Sequence, residues 1–389
     1  MELENKKITV VGGGIGGLAI AILLRRTGAS VRVLEQAEAI SEVGAGLQIS
    51  PNGVAVLRAL GLADDLAWKA PRARAVVLRS HRRGREVVRL DLDQYAADLR
   101  YYFVHRADLV ELLATKAREE GVQIRLLQRL DRVDLSGAPK LHLANGSCCN
   151  GDLVIGADGI HSRLREAING VREPFFTGQV AWRALVPNRL GLQNEAQVFM
   201  GPGRHLVAYP LRDGSLVNLV AVQEQRAWVD ESWSHKGDPD ALRRAFAGFG
   251  GTARELLSDV GDVGFWGLFR HPVAEKWHTG QAVLLGDAAH PTLPFMAQGG
   301  NMALEDAYVL ADCLQRAETL DGALAKYQSR RRDRVCKVVE TANGNAWRYH
   351  LRPPISWPAH IVMRAMSQWA PQKMVSQFDW IYRHDVTEG

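Results

Sequence analysis

The sequence predicts an α/β fold with a Rossmann-like unit at the N-terminus, a β-rich middle segment and a helical, aromatic-rich end. Three observations predict it. A buried strand runs into a glycine turn and an apolar helix over residues 8–27, residues 182–222 break into short β-rich runs, and aromatic side chains recur from Trp347 to Tyr382. Composition agrees. The 389 residues suffice for two or three domains, and 47% hydrophobic with 23% charged residues argues against disorder, collagen or coiled coil.

Ile8 to Val11 reads as a buried strand, and Gly12, Gly14 and Gly17 follow in G-x-G-x-x-G spacing. The helix they open runs to about Thr27 and stops at Gly28. Val31 to Leu34 form the next strand, which ends in a carboxylate, Glu35. Strand, glycine turn, helix, strand and acid in that order are the signature of a dinucleotide site. Gly12 permits the tight turn, Gly14 lets the backbone approach a pyrophosphate, and Gly17 lets the helix pack closely on the strand. The helix N-terminus adds N–H groups and a positive dipole end, and Glu35 would accept hydrogen bonds from a ribose. The motif itself suits FAD and NAD equally. Residues Ile8 to Leu24 are uncharged but fall short of the ~20 that a spanning helix needs, and glycines interrupt them, so no membrane span is expected. Met1 to Lys7 lacks the layout of a secretion signal.

Two later strands, Leu153 to Ile155 and Val283 to Leu285, lead into Gly156-Ala157-Asp158-Gly159 and Gly286-Asp287. A further helix opens at Gln298-Gly299-Gly300-Asn301-Met302. Asn301 is its expected N-cap, Glu305 and Asp306 its first-turn acids, and Ala303, Ala307, Leu310, Ala311 and Leu314 its apolar face. Arg106 stands just before another amphipathic helix, which carries Leu109, Leu112 and Leu113 and stops at Gly121. In the middle segment Ala184 to Val186, Gln197 to Met200, His205 to Leu211 and Leu216 to Val222 read as strands, with Asp213-Gly214 turning between the last two. Alternation puts His205, Val207 and Tyr209 on one face and Leu206 and Ala208 on the other. His205 and Tyr209 can thus line one pocket, where a histidine titrating near neutrality could take or relay a phenol proton. A sheet histidine with a satisfied hydrogen bond beside a core tyrosine is the alternative.

The charge balance of 48 Lys and Arg against 43 Asp and Glu is spread along the chain and demands no nucleic-acid partner. The basic runs Arg79 to Arg85 and Arg330 to Arg334 read as solvated loop or helix faces. Cys148, Cys149, Cys313 and Cys336 have no metal-site spacing and no plausible adjacent bridge, so no metal and a reducing, cytoplasmic setting are expected.

Gly44 to Asn52, His105-Arg106-Ala107-Asp108-Leu109, Gly156 to Gly159, Gly286 to Pro291, Gln298 to Met302 and Phe378 to Tyr382 follow one another over nearly the whole chain. In this order they resemble the single-component flavoprotein aromatic hydroxylases, of the salicylate hydroxylase and 3-hydroxybenzoate 6-hydroxylase type. The resemblance implies a p-hydroxybenzoate hydroxylase-like fold. A Rossmann-like FAD-binding domain would comprise residues 1–72, 98–180 and 265–345, an inserted mixed β-sheet substrate domain residues 73–97 and 181–264, and a C-terminal helical segment residues 346–389. It implies FAD as cofactor. Asp287 would serve the ribityl or ribose hydroxyls, Arg106 the pyrophosphate, and the N–H groups of Gly299 and Gly300 the N1 and C2 carbonyl edge of the ring. Asp158 would lie near flavin and nicotinamide, and Gly16, Gln36, Gln48, Leu130, Pro291, Asn301 and Met302 complete the implied cofactor contacts.

The implied reaction takes hydride from NADH or NADPH, adds O2 at flavin C4a and transfers one oxygen atom from the resulting hydroperoxide to a small aromatic ring. With no second dinucleotide fold in the sequence, the reductant would use a surface groove, and Arg163 and Arg165 are candidates for its phosphates. A histidine and a tyrosine four residues apart on this strand occur in the 3-hydroxybenzoate and 6-hydroxynicotinate hydroxylases, where they serve the substrate's hydroxyl. His205 and Tyr209 are the matching catalytic pair here, with Gln48 and Pro294 as further substrate positions. Gln48 stands where the hydroxynicotinate enzymes have histidine, and Pro294 where the 3-hydroxybenzoate 6-hydroxylases have glutamine. A salicylate-like or other phenolic acid is therefore expected. An FAD-dependent oxidase or reductase of the same fold, without oxygen insertion, is the alternative. Trp347, Tyr349, Trp357, Trp369, Phe378, Trp380 and Tyr382 are expected to pack terminal helices into the core, a homodimer or membrane surface being the other reading.

Overall fold

A computed structural model describes residues 2–40, 46–225, 227 and 236–388, apart from the side chains of residues 345–348. Gly44 and Ala45 of the Gly44 to Asn52 segment and the side chain of Trp347 lie outside the described residues. The first sheet has six strands, with Lys7–Val11 between Leu153–Gly156 and Ser30–Leu34. Ala282–Leu284 and Gln123–Arg125 extend it in parallel, and His278–Thr279 closes one edge antiparallel. Helices cover both faces, which is why the central strands read as continuous Val, Ile and Leu runs rather than alternating ones.

The helix after the glycine turn spans Ile15–Arg25, two residues shorter than the spacing predicts. The three motif glycines divide their labour. Gly12 has φ +103°, and a Cβ there would sit 2.2 Å from the Ala157 carbonyl oxygen; one at Gly17 would sit 2.0 Å from the Gly12 oxygen. Both are demanded by the fold itself. Around Gly14, by contrast, nothing lies within 4 Å of where a Cβ would be, so its absent side chain leaves space beside the turn.

The second sheet has seven strands in the order Gly264–Arg270, Phe175–Pro187, Leu216–Glu224, Arg204–Leu211, Glu195–Gly201, Ala75–Ser80, Glu86–Asp91. It is mixed, because Glu195–Gly201 pairs in parallel with Ala75–Ser80 and all other neighbours are antiparallel. Leu211 pairs with Leu216 across the Asp213-Gly214 turn as expected. Leu206 and Ala208 pack with Trp182, Phe246 and Phe249 under the helices Pro239–Ala245 and Thr252–Ser258. The opposite face, bearing His205, Val207 and Tyr209, is turned toward the first sheet's helices and borders a cavity.

Three expectations are corrected here. The helix at the Gly299 motif spans Gly299–Arg316, so its N-cap is Gln298, and Asn301 lies inside it. Glu305 and Asp306 consequently fall beyond the first turn and are fully buried. The basic run answers them: Arg331, on the helix Leu320–Tyr349, is 1% exposed, with Nη1 2.6 Å from Glu305 Oε2 and Nε 2.7 Å from Asp306 Oδ1. Arg334 adds a 2.8 Å contact to Glu305 Oε1, and only the outer part of the run is solvated. Charge runs are usually surface features, but an i, i+3 pair on a packed helix can face inward when acids wait opposite. The aromatic tail also splits. Phe378, Trp380 and Tyr382 pack around buried Ile381, whereas Trp357 and Trp369 on the helix Ser356–Trp369 are 66% and 87% exposed. Among the described residues no helix is long and apolar enough to cross a membrane.

Candidate active site

A cavity of about 1020 Å³ lies between the two sheets. One end is made by the glycine turn at Gly14, Gly16 and Gly17, by Arg106, Asp287 and Pro291, and by the helix start at Gly299 and Gly300. The other end is the sheet face with His205, Tyr209 and Arg183, closed by Pro294, Phe295 and the terminal Tyr382. Segments as far apart in sequence as Gly14 and Tyr382 thus share one space.

At the nucleotide end, Asp287 follows the strand Ala282–Leu284 in a short 3₁₀ turn. The carboxylate is surrounded by the fold yet open to the cavity. Burial pushes its carboxyl up from the ordinary range, and His290, Arg106 and His271 draw it partly back. The turn is braced from behind: Asp306 accepts from the Gly286 N–H at 3.0 Å and stands 2.5 Å from His290 Nε2. The helix Gly299–Arg316 has no side-chain cap at its N-terminus, because Gln298 is engaged with Ser50 Oγ at 3.0 Å and Asn52 Nδ2 at 3.1 Å. Its first N–H groups are left for whatever the cavity holds, beside a positive dipole end. These residues fit FAD. Gly14 leaves room for a pyrophosphate, Arg106 and the helix starts favour its negative charge, and Asp287 offers a carboxylate to sugar or ribityl hydroxyls.

The remaining expected cofactor residues are placed differently. Glu35 ends its strand beside the turn, accepting from Gly13 N–H at 2.7 Å and Ala37 N–H at 2.9 Å, with exposed Gln36 next to it. Asp158 does not line the cavity; it accepts from Ser162 Oγ at 2.5 Å and Arg163 N–H at 2.9 Å, bracing the start of the helix Arg163–Asn169, whose N-cap is Ser162. Leu130 and Met302 are buried in the core behind the site. Asn301 is fully buried behind the wall as a clamp, its Nδ2 donating to the Gln48 carbonyl at 3.0 Å and its Oδ1 accepting from Ser50 N–H at 3.0 Å. Arg165 donates to the Pro272 carbonyl, and the half-exposed Arg163 pairs with Glu166 at 2.8 Å.

At the substrate end, Gln48 links two phenols. Tyr101 Oη donates to its Oε1 at 2.6 Å, and Tyr209 is its other hydrogen-bond partner. Burial holds the Tyr209 hydroxyl well above the usual tyrosine range, with Arg183 working against that rise. Tyr209 packs on Phe103 with ring centres 5.0 Å apart, and a Cβ on Gly46 would come within 2.8 Å of its hydroxyl. His205 Nδ1 is 2.7 Å from His350 Nε2, and its ring stands 5.7 Å from that of Phe295. Burial, and then His350, pull its imidazole well below the ordinary histidine range.

Arg183, Tyr101 and His350 were not anticipated from sequence. Arg183 left a signal: on the strand Phe175–Pro187, Val180, Trp182, Ala184 and Val186 face the helices, so a charge between them must face the other side. Its guanidinium lies 5.5 Å from the Trp266 ring centre, and burial lowers its basicity while Tyr209 raises it. His350 is separated from His205 by 145 residues and carries no local pattern.

Comparison with known proteins agrees with this geometry. The 3-amino-4-hydroxybenzoate 2-monooxygenase of Streptomyces cremeus is 39% identical over 355 residues, 89% of this chain and 88% of that one. The 6-hydroxynicotinate 3-monooxygenase of Bordetella bronchiseptica is 35% identical over 88% of this chain and 91% of its own. The crystal structure of Klebsiella pneumoniae HpxO with FAD and uric acid superposes with a TM-score of 0.83 at 25% identity, over 96% of this chain and 95% of that one. A family model described as an FAD binding domain matches residues 5–342. The chain belongs to this family of FAD-binding proteins.

Proposed function

We propose that the chain is a flavoprotein monooxygenase that uses NADH or NADPH and O2 to add one hydroxyl to a small aromatic acid bearing a phenolic hydroxyl. One observation carries the reading: a single cavity joins the nucleotide cradle at Gly14, Asp287 and Gly299 to a wall with an imidazole, a phenol and a guanidinium. When bound, FAD supplies electron transfer from NAD(P)H and delivery of one oxygen atom from O2. The chain's own residues do the rest. Arg183 pairs with the substrate carboxylate, as an arginine fork suits a planar acid. His205 accepts the phenolic proton, which raises electron density on the ring. Tyr209, held by Gln48 and four residues further along the strand, hydrogen-bonds a different part of the ligand. Val198, Val207, Val220, Val222 and Leu293 line the walls and keep water from the reacting atoms.

The relatives support the substrate class. By name, the two curated ones act on 3-amino-4-hydroxybenzoate and 6-hydroxynicotinate, both flat rings with a carboxylate and an oxygen substituent. The test is turnover by the purified yellow protein with 3-amino-4-hydroxybenzoate, salicylate and 3-hydroxybenzoate, using isotopically labelled dioxygen. Label in the product is expected. Peroxide equal to the NAD(P)H consumed with every acid would defeat the reading.

A further inference from the structure

We propose that His350 and Glu224 complete a proton relay with His205, carrying the substrate's phenolic proton from the cavity to solvent. The inference rests on the hydroxylase reading above. Its three groups come from separate elements: His205 from the strand Arg204–Leu211, Glu224 from the end of Leu216–Glu224, and His350 from the turn after Leu320–Tyr349. The chain of contacts is continuous. His205 Nδ1 lies 2.7 Å from His350 Nε2, His350 Nδ1 lies 3.1 Å from Glu224 Oε1, and Glu224 Oε2 lies 2.6 Å from Arg352 Nη2. It also runs from inside to outside, since His205 and His350 are 2% and 4% exposed and the Glu224 side chain 39%.

The carboxylate fixes the direction. Glu224 can only accept, so His350 Nδ1 must carry a proton. Burial lowers both imidazoles from the ordinary range, so each is neutral near pH 7 and has one N–H. His350 Nε2 is then a bare lone pair that accepts from His205 Nδ1–H. His205 Nε2 is left as the unprotonated nitrogen on the ring that borders the cavity. When a phenol O–H breaks, that proton binds His205 Nε2, the Nδ1 proton moves to His350 Nε2, and the His350 Nδ1 proton moves to Glu224, which releases it to water. Neither ring accumulates charge. This matters because a buried imidazolium would be costly in such a site.

The surroundings hold the wire in place. Gly203 N–H donates to the His350 carbonyl at 3.1 Å, and Glu224 N–H donates to the Gly203 carbonyl at 2.9 Å. The charged or titratable groups facing the relay are Glu224, Arg204 on the His205 strand, and Arg352 and Tyr349 from the C-terminal segment. Tyr349 packs on His205 at 5.3 Å, and Arg352 occupies Glu224 Oε2, which leaves Oε1 for His350.

The probe is 4-hydroxybenzoate, whose phenol stays protonated in water at neutral pH, mixed with the FAD-loaded enzyme in weak buffer with a pH-indicator dye. Wild type is expected to release one proton per bound phenol. His350→Gln and Glu224→Gln keep hydrogen bonding but cannot pass a proton, and release should slow about 100-fold while Kd changes less than about threefold. Free imidazole added to His350→Ala should restore the rate. Release at the wild-type rate in both glutamine variants overturns the relay alone. Loss of release in step with loss of binding, unrescued by imidazole, would assign the residues a structural role and also overturn it. A wild-type enzyme that binds no phenol overturns the hydroxylase reading together with the relay.

Discussion

Replacing Arg331 with methionine isolates the charge of the buried network behind Asp287 from its packing. The guanidinium touches Glu305 at 2.6 Å and Asp306 at 2.7 Å, and none of the three side chains is more than 1% exposed. Methionine retains much of the stem's volume. Glu305 keeps Arg334 at 2.8 Å and Asn52 at 2.6 Å, and Asp306 keeps His290 at 2.5 Å and the Gly286 N–H at 3.0 Å. The variant still buries two carboxylates against one fewer cation, and removing one partner of such a set costs about 3–5 kcal/mol. The pH dependence gives a sharper test. Burial works to raise the Asp306 carboxyl, but His290 and Arg331 outweigh it and hold the group at about 2 against its ordinary 3.8. A depressed carboxyl stabilises the fold above its unfolded value, and that contribution, about 2 kcal/mol here, is lost as pH falls from 3.8 toward 2. Without Arg331 the balance tips toward burial, the folded state resists ionisation, and stability falls as pH rises. Urea unfolding followed by tryptophan fluorescence should therefore show a deficit that is largest at neutral pH and shrinks toward the acid side. FAD retention should fall with it, because the same carboxylate braces the Gly286 turn. A deficit below about 1 kcal/mol, or one that does not change with pH, would refute this account of the network.

Arg183→Met should raise KM for a carboxylated phenol by about 10- to 100-fold, the worth of one charge-assisted hydrogen bond, and leave a phenol without the carboxylate nearly unaffected; equal losses on both would remove the anchoring role. Gly14→Ala should fold with unchanged Tm but bind FAD at least about tenfold more weakly, whereas Gly17→Ala should be poorly folded, because only the second Cβ meets backbone, at 2.0 Å. Differential scanning and flavin titration on the two proteins decide it, and equal behaviour would contradict the division of roles. Tyr209→Phe and His205→Ala should lower hydroxylation far more than flavin affinity, and normal product formation by both would take them out of the chemistry.

Much of the nucleotide end was legible in sequence because its determinants are local. The positive φ at Gly12 belongs to the turn itself and Gly17 packs on the Gly12 carbonyl five residues away, although the carbonyl that closes on Gly12 is that of distant Ala157. The same holds for the alternation that puts His205 and Tyr209 on the cavity face, since period two survives whatever the strand pairs with. Boundaries were harder. Asn301 has the composition of a cap, but its side chain is taken by the Gln48 carbonyl and Ser50 N–H across 253 and 251 residues, so the helix begins earlier, at Gly299. A cap preference worth about 1 kcal/mol is easily outweighed by two buried hydrogen bonds.

What stayed hidden is pairwise and distant. The run at Arg330 to Arg334 looks solvated until Glu305 and Asp306 are brought beneath it, and those acids look like first-turn residues until the run is found above them. Neither half is readable without the other, since a buried charge is tolerable only where its partner is present. Asp158 makes the converse point. Its motif sits where a cofactor contact is implied, yet Ser162 and the Arg163 N–H lie four and five residues away, and these local partners take the carboxylate. The substrate end combines both situations: the strand supplies the imidazole by simple alternation, but whether that imidazole is a base depends on His350 and Glu224, which decide where its protons sit. Chemistry at such a site is therefore a property of the contact between sheet and C-terminal segment, and a change in that segment should alter the protonation of His205 without touching the strand that carries it.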